Sequence, residues 1–463
     1  MGRRAPARHR RQPARVDFWA KPAELALTPD GSTLLYPWND TLVPRRTSDL
    51  ATVGTPYVMT HTAGAVDVAV DGTIAGGSWA PYDPDVWVFT ATGAPVRYYE
   101  LPDTGKMSYT SDPLGFGALA WTPEGDQLFG VAYNDVDEYS LRRLTTPKKS
   151  VPQLTLSGPA SAKRAVALTL TGTVSSSLPV PVGAAVSVTR IDPETPNGRA
   201  LSAVKTAAGG RITVKDTPPA GGKVTYRIGY AADTTHEAAT ATWSVQVAKS
   251  TPTLTLNRKN NAVFAYGTKV AFTAHLGGAY SNRTVAIWAD PYGTDQPNKL
   301  VWKATANSKG DVAATITLTR TTKVSAVFAG DTRIATRTVS ITAETNVKVS
   351  QSVKGHYKTG KIGATKYYYF HAKKIPQIKT TMTYYKGRKQ YVMVQYYAKG
   401  WKTWGDTWVA LAANGTSTVT VVGNHDKNVK MRIRAEYMPG TYNSGDSLNN
   451  TTYSAWTNFI FTK

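Results

Sequence analysis

The chain has 463 residues, no cysteine and a formal net charge of +23, with 41% hydrophobic and 18% charged residues. That length exceeds what one hydrophobic core serves, and the apolar share excludes wholesale disorder. The missing cysteines exclude disulfides, thiolate metal ligands and cysteine nucleophiles, and no stretch approaches the roughly 18 uncharged apolar residues of a spanning helix.

The charge is polarised along the chain. Residues 1–16 hold six basic and no acidic residues, residues 17–146 carry a net −10, residues 147–346 a net +13 and residues 347–463 a net +14. An anionic polymer, if one is bound, therefore meets the rear of the chain. The basic start, rich in Arg, Ala and Pro, reads as a disordered tail. Arg3-Arg4 is followed by no apolar segment, so it reads neither as a secretory signal nor as a twin-arginine leader; the alternative to a disordered tail is a start codon placed inside a longer gene.

Between residues 17 and 146 a turn motif recurs as Leu27-Thr28-Pro29-Asp30-Gly31, Ala69-Val70-Asp71-Gly72-Thr73 and Trp121-Thr122-Pro123-Glu124-Gly125. Each turn joins two short apolar runs, which is a hairpin signal, and the spacing approaches the blade length of a β-propeller. The segment resembles β-propeller repeats of the WD-like or surface-layer type. This resemblance implies about three blades of an incomplete ring, since closed propellers take roughly four to eight, and an open ring would be free to self-associate.

The next boundary is sharper. Lys149-Ser150-Val151-Pro152-Gln153-Leu154-Thr155-Leu156 recurs 100 residues later as Lys249-Ser250-Thr251-Pro252-Thr253-Leu254-Thr255-Leu256, and similarity continues in order through Val224–Ile228 against Lys323–Val327. About seven short alternating strands per repeat predict a β-sandwich. Residues 147–248 and 249–346 thus form two repeats that resemble the immunoglobulin-like domains of secreted actinobacterial proteins. Residues 347–463 fit a third, diverged copy, with Val429–Arg434 as its penultimate strand, Trp456–Phe461 as its last, and a hairpin turn at Lys386-Gly387-Arg388. The fold class expected is therefore all-β: partial β-propeller blades followed by three tandem immunoglobulin-like β-sandwich domains. The resemblance implies an extracellular or cell-surface location.

The chemical motifs are sparse. His236-Glu237-Ala238-Ala239-Thr240 begins like a zincin motif but has Thr240 where the second histidine must stand, so an exposed histidine in a turn is expected. Leu101-Pro102-Asp103-Thr104-Gly105 matches a sortase pattern far from the C-terminus and reads as a loop between blade strands. Asp83-Pro84-Asp85 and Asp135-Val136-Asp137-Glu138 pair carboxylates without the full spacing of a calcium loop. His356, His371 and His425 share the last domain on separate strands. No nucleophile elbow, phosphate loop or catalytic carboxylate pair is found, so no enzyme activity, cofactor or metal is expected.

The positive signal is the basic, aromatic-rich last domain. Alternation along Tyr391–Tyr397 puts Val392, Val394 and Tyr396 on one face and Tyr391, Met393, Gln395 and Tyr397 on the other. With the valines inward, the ligand-binding candidates are Lys386, Arg388, Lys389, Tyr391, Tyr397, Lys399, Trp401 and Lys402, rings for stacking and cations for anionic groups. Against this stands core packing by Trp401, Trp404, Trp408 and Trp456. The function expected is a non-catalytic adhesion or scaffold protein, with the repeats as spacers and the last domain on an anionic cell-wall polymer or glycan. The alternatives are a nucleic-acid-binding protein and an enzyme whose site lies in propeller blades missing from this chain.

Overall fold

A computed structural model describes residue 15 and residues 24–423 and 425–462; the basic tail expected over 1–16 lies, except for Arg15, outside them. The chain divides into two compact units, Met1–Ala248 and Lys249–Lys463.

The first unit begins with three antiparallel meander sheets in series. Ala26–Leu27, Thr33–Trp38, Thr41–Arg46 and Tyr57–Val58 form one, Ala63–Val68, Ile74–Ser78, Val86–Phe89 and Pro95–Tyr99 the second, and Leu114–Trp121, Leu128–Tyr133 and Tyr139–Leu144 the third. The recurrent turn sits at the same place in each, between the first and second strands. Gly31, Gly72 and Gly125 all take positive φ (64°, 84° and 69°) and each donates its N–H to the residue three before it at 2.8 Å. That left-handed conformation is what makes glycine recur there. Leu35, Leu42, Met59, Val66, Ile74, Trp87 and Phe89 fill the layer between the first and second sheets, while Ala65, Val86, Val88, Leu114, Leu119 and Leu128 fill that between the second and third. The sheets close no ring among the described residues, so the expectation of a propeller reduces here to three stacked sheets of blade-like order.

The unit continues as a sandwich. Gln153–Ser157, Leu168–Ser175 and Arg211–Asp216 face Ser161–Lys163, Ala239–Ala248, Gly222–Tyr230, Ala185–Asp192 and Thr195–Lys205. Alternation places Val186 and Val188, Ile212 and Val214, and Val224, Tyr226 and Ile228 between the sheets. The short strand Ser161–Lys163 runs parallel to the last strand, Ala239–Ala248, and the whole order is that of an immunoglobulin-like sandwich.

The second unit repeats this design. Leu254–Leu256, Thr268–Leu276 and Asp311–Leu318 face Ala262–Phe264, Arg337–Thr345, Thr322–Phe328, Thr284–Pro291 and Lys299–Thr305, in the same order and again with the short strand parallel to the last. The entry of each repeat is held alike. Ser150 accepts from Glu237 N and Ser250 from Ala335 N, both at 2.9 Å, while Asp233 and Asp331 each cap a turn by accepting two backbone N–H groups. The repeated sequence therefore encodes a repeated local geometry.

In the last domain Val349–Lys354, Gln377–Met382 and Thr416–Thr420 face a larger sheet. Its strands run Lys358–Ile362, Thr365–Phe370, Thr457–Phe461, Lys430–Tyr437, Lys389–Tyr397 and Trp401–Ala410, with Thr452–Tyr453 paired to Lys430–Tyr437. Phe370, Ile378, Val392, Val394, Val421, Met431, Ile433, Phe459 and Phe461 make the core. The turn at Lys386-Gly387-Arg388 is a crossover between the two sheets, because Gln377–Met382 and Lys389–Tyr397 lie in different ones. The hairpin lies instead at Ala398–Gly400, where Lys399 takes φ 56°.

Arg388, expected at a ligand-binding face, is 2% exposed. Its guanidinium meets both carboxylate oxygens of Asp446 at 2.7 and 2.8 Å, donates to Thr383 O and Asn449 Oδ1, and lies 4.7 Å over the Tyr437 ring, whose hydroxyl donates to Asp446 at 2.6 Å. Burial opposes the Asp446 charge, but Arg388 and Tyr437 more than offset it and hold the carboxyl below its ordinary range. Removing Arg388 leaves that carboxylate buried and unpaired. Arg388→Ala should therefore lower the stability of this unit by about 3–5 kcal/mol in urea denaturation at pH 7. Because the folded Asp446 pKa is depressed, the pair's stabilisation is present above the unfolded carboxyl pKa and is lost as pH falls below about 4; the variant's deficit should shrink there.

Candidate functional site

The structure separates the eight predicted residues. Tyr391 and Tyr397 point outward from the large sheet of the last domain, and cross-strand partners extend them into ring pairs: Tyr391 with Trp408 at 5.1 Å and Tyr397 with Trp401 at 5.4 Å. Lys389 shares that outward parity, whereas Lys402 pairs with Tyr396 and so stands on the opposite side. Lys399 sits in the hairpin turn, roughly 25 Å along the strand from Lys389. Lys386 is exposed on the crossover, and Arg388 is interior. The cations proposed from local spacing thus occupy two ends and both faces of the sheet.

The tryptophans do not fill the core. Trp404 is 45% exposed, and Trp401, Trp408 and Trp456 are half-buried on the sheet's surface, outside the apolar cluster.

What gathers on the outward face is an arrangement of rings and cations centred on Lys430–Tyr437. Met431, Ile433 and Ala435 of this strand are buried, so Lys430, Arg432, Arg434 and Glu436 take the other face. Arg432 lies 4.2 Å over Trp401 and 4.0 Å over Trp456; Arg434 lies 4.5 Å over both Trp456 and Tyr453; Lys430 lies 5.7 Å over Tyr397. Each falls within the range of cation–π attraction. Gln395 orients Arg432, its Oε1 accepting from Nε and Nη2 at 2.8 and 2.6 Å, and Glu436 holds Arg434 Nε at 2.6 Å. Burial, then the charge of Arg434 two residues along the same strand, push Arg432 below the usual guanidinium range. Burial, then the nearby Asp406 carboxylate, raise the Tyr391 pKa. Lys430, Arg432, Arg434, Tyr453 and Trp456 were not among the predicted binding residues. For the three cations the signal was the alternation in Lys430-Met431-Arg432-Ile433-Arg434-Ala435-Glu436, which puts them on one face; it carries none for Tyr453 and Trp456.

The remaining motifs are absorbed by the fold. His236 is 2% exposed rather than a turn histidine in solvent; its Nδ1 faces Asp233 at 3.1 Å and its Nε2 the Leu178 carbonyl at 3.2 Å. His356, His371 and His425 pack separately, on Tyr368, Tyr357 and Phe461. Asp135 accepts from the backbone of Lys106 and Met107. Among the described residues no three His, Cys, Asp or Glu gather as a metal site.

Asp85 is fully buried and ties down a loop, its two oxygens accepting from Leu101 N at 2.6 Å and Ser111 Oγ at 2.7 Å. Burial pushes its pKa up to about 7, with the charges of Asp83 and Asp112 adding to it.

No family model matches the chain, and no curated protein matches it. Among solved structures the chain is similar to trypsin-activated alpha-2-macroglobulin from Escherichia coli, at 11% identity and TM-score 0.20, over 95% of this chain and 32% of that one. It is also similar to the chicken CNTN1 FN1–FN3 domains, at 12% identity and TM-score 0.19, over 68% of this chain and 100% of that one. A chimeric titin Z1Z2 tandem is similar at 15% identity and TM-score 0.17, over 42% of this chain and 97% of that one. The chain thus spans about a third of the alpha-2-macroglobulin. Likenesses at these scores carry no argument. The strand order and registers above define the class: an all-β protein with tandem immunoglobulin-like sandwiches.

Because the folded Asp85 pKa is raised, the folded state binds this proton more tightly than the unfolded chain does. Stability of the first unit should fall as pH rises from about 4 to about 7, by on the order of 2–4 kcal/mol, and then level off. In Asp85→Asn that slope should flatten markedly, Glu24 keeping a share because burial raises its pKa too, read by calorimetry of the full chain and by exchange of the Leu101 amide at pH 5 and pH 8.

Proposed function

We propose that the chain is a non-catalytic binding protein of the cell surface or the extracellular space, in which the sandwiches act as spacers. The last domain holds an anionic cell-envelope polymer on the outward face of its large sheet. The observation that carries this reading is the pair Arg432 and Arg434, side by side on one strand and framed by Trp401, Trp456 and Tyr453. Two neighbouring guanidinium groups repel each other, and a bridging anion relieves that repulsion with charge-assisted hydrogen bonds. The more exposed rings at the margin, Tyr397 at 47% and Tyr453 at 52%, offer apolar surface to sugar units of the same polymer. Lys389 and Lys430 continue the positive face, and the net +14 of residues 347–463 draws a polyanion toward it. Among the described residues no helix is long and apolar enough to cross a membrane.

A nucleic acid presents the same anionic repeat and flat rings, which makes it the second reading for this face. The full chain should bind a teichoic-acid-bearing wall preparation with an affinity that falls steeply with added salt, since charges in solution are screened over about 8 Å at physiological ionic strength. Lys389→Gln with Lys430→Gln should weaken binding severalfold at low salt only. Tyr397→Ala, which removes a ring 47% exposed, should weaken it at every salt concentration. Equal affinity for duplex DNA would replace the wall polymer with general polyanion attraction, and no salt-sensitive binding to either would end the reading.

A further inference from the structure

The structure assigns a self-association edge to the first unit: we propose that the strand Tyr139–Leu144 pairs antiparallel with the same strand of a second copy, about a two-fold axis through Leu141. The three meander sheets share one strand order but not one length. Beside Thr41–Arg46 in the first sheet lies a fourth strand, Tyr57–Val58, and beside Val86–Phe89 in the second lies Pro95–Tyr99. In the third sheet the chain leaves Leu144 for the sandwich, and among the described residues no strand pairs with the outer side of Tyr139–Leu144. The place that a β-strand fills twice is open the third time.

Hydrogen bonds set which backbone groups face that opening. Asn134 N donates to Glu138 O at 3.1 Å, while Tyr133 N turns the other way, to Pro113 O. The register then runs without a shift from Tyr133 opposite Tyr139 to Leu128 opposite Leu144. The N–H and C=O groups of Ser140 and Arg142 therefore face the neighbouring strand, and those of Tyr139, Leu141 and Arg143 face outward.

The corresponding edges of the first two sheets are guarded. Tyr57–Val58 has only two residues, and Pro95–Tyr99 begins with proline and pairs with a shift between Val88 and Phe89. Tyr139–Leu144 has six residues, no proline and no bulge, which is the form of edge that takes another strand.

The side chains select the occupant. A two-fold axis through Leu141 brings outward backbone groups against outward backbone groups, and it opposes Tyr139 to Arg143, Ser140 to Arg142 and Leu141 to itself. Tyr139 is 69% and Leu141 72% exposed, and Arg143 is exposed as well. In the pair each Leu141 gains an apolar neighbour and each Tyr139 ring a guanidinium, with no like charges opposed. An axis through Arg142 would set that arginine against itself. An axis through Ser140 would run the pairing into the turn at Asp137, where φ is 61°. This self-complementary pattern is what an isologous contact requires and a foreign peptide does not.

One strand pair buries less than a standard interface, so the dimer is a weak one, formed at micromolar concentrations. Two chains of net +23 repel, so added salt should strengthen it, the reverse of polyanion binding by the last domain. The test follows the full chain by sedimentation velocity from about 1 to about 200 μM, at low salt and at about 0.3 M. A monomer–dimer equilibrium that salt shifts toward dimer is expected. Leu141→Lys, which opposes two ammonium groups, should weaken it about fivefold or more, with an unchanged thermal transition showing that the fold is spared. The chain has no cysteine, so single replacements report the axis. Under mild oxidation Leu141→Cys should give a disulfide-linked dimer, because its Cα atoms would stand about 5.5 Å apart. Arg143→Cys alone should not cross-link, whereas Tyr139→Cys combined with Arg143→Cys should. A chain that stays monomeric at every concentration, a dimer indifferent to Leu141→Lys, or cross-linking through Arg143→Cys but not Leu141→Cys overturns the pairing.

Discussion

Every module of this chain depends on the two-residue period of the β-strand, which sends alternate side chains into the layer between two sheets and leaves the rest in water. With no cysteine to staple the sheets, inward positions must supply cohesion themselves. Val186 and Val188, Val285 and Ile287, and Val392 and Val394 fill the same place in successive sandwiches, each buried to within a few per cent. Full burial of each such side chain stabilises by about 1.5–3 kcal/mol. The outward positions carry no such demand. They are where the modules differ, from threonine and serine in the first sandwich to tryptophan, tyrosine and arginine in the last.

Features encoded within a few residues were legible in the sequence. The Asp-Gly and Glu-Gly turns announced hairpins because a positive φ selects glycine, and the 100-residue repeat announced two sandwiches because its turns and alternations recur in order. The inward parity of Val392 and Val394 was likewise readable. What failed required knowing which distant strand lies alongside. Arg388 looks like surface charge beside Lys386 and Lys389, yet it pairs with Asp446, 58 residues on, in a pocket roofed by Tyr437. Alternation assigns Lys402 and Trp401 to opposite faces, but only the hairpin register shows that Lys402 leaves the ring face. The tryptophans could have been core or surface on composition alone; Phe370, Phe459 and Phe461 took the core instead.

Buried ion pairs recur where larger apolar residues could have stood. In the first sandwich Arg190 bridges Asp192 and Asp216, and the Tyr226 hydroxyl donates to Asp216 at 2.7 Å. In the last, Arg388 from the crossover, Asp446 from the segment after Lys430–Tyr437 and Tyr437 repeat the chemistry. Burial, helped by the adjacent carboxylate, raises both tyrosines far above the ordinary phenol range, so each keeps its proton and remains a donor. Such groups add little net stability over an apolar filling, and their consequence is uniqueness, since any slipped register strands a charge in the interior.

That same uniqueness determines what the outward face of the last sheet can do. A one-residue slip of Lys430–Tyr437 would bring Arg432 and Arg434 into the core and send Met431 and Ile433 to water. The apolar layer therefore sets the cations on the side of the rings of Trp401, Trp456 and Tyr453, and hydrogen bonds to Gln395 and Glu436 complete their placement. Lysines there would be mobile point charges, whereas planar guanidinium groups sandwiched between rings and oriented by Gln395 and Glu436 keep their remaining N–H donors in set directions. Attraction by net charge alone fades with salt, but donors held in place by packing do not reorganise on binding. The arrangement of donors and rings that this face presents follows from the register of one strand.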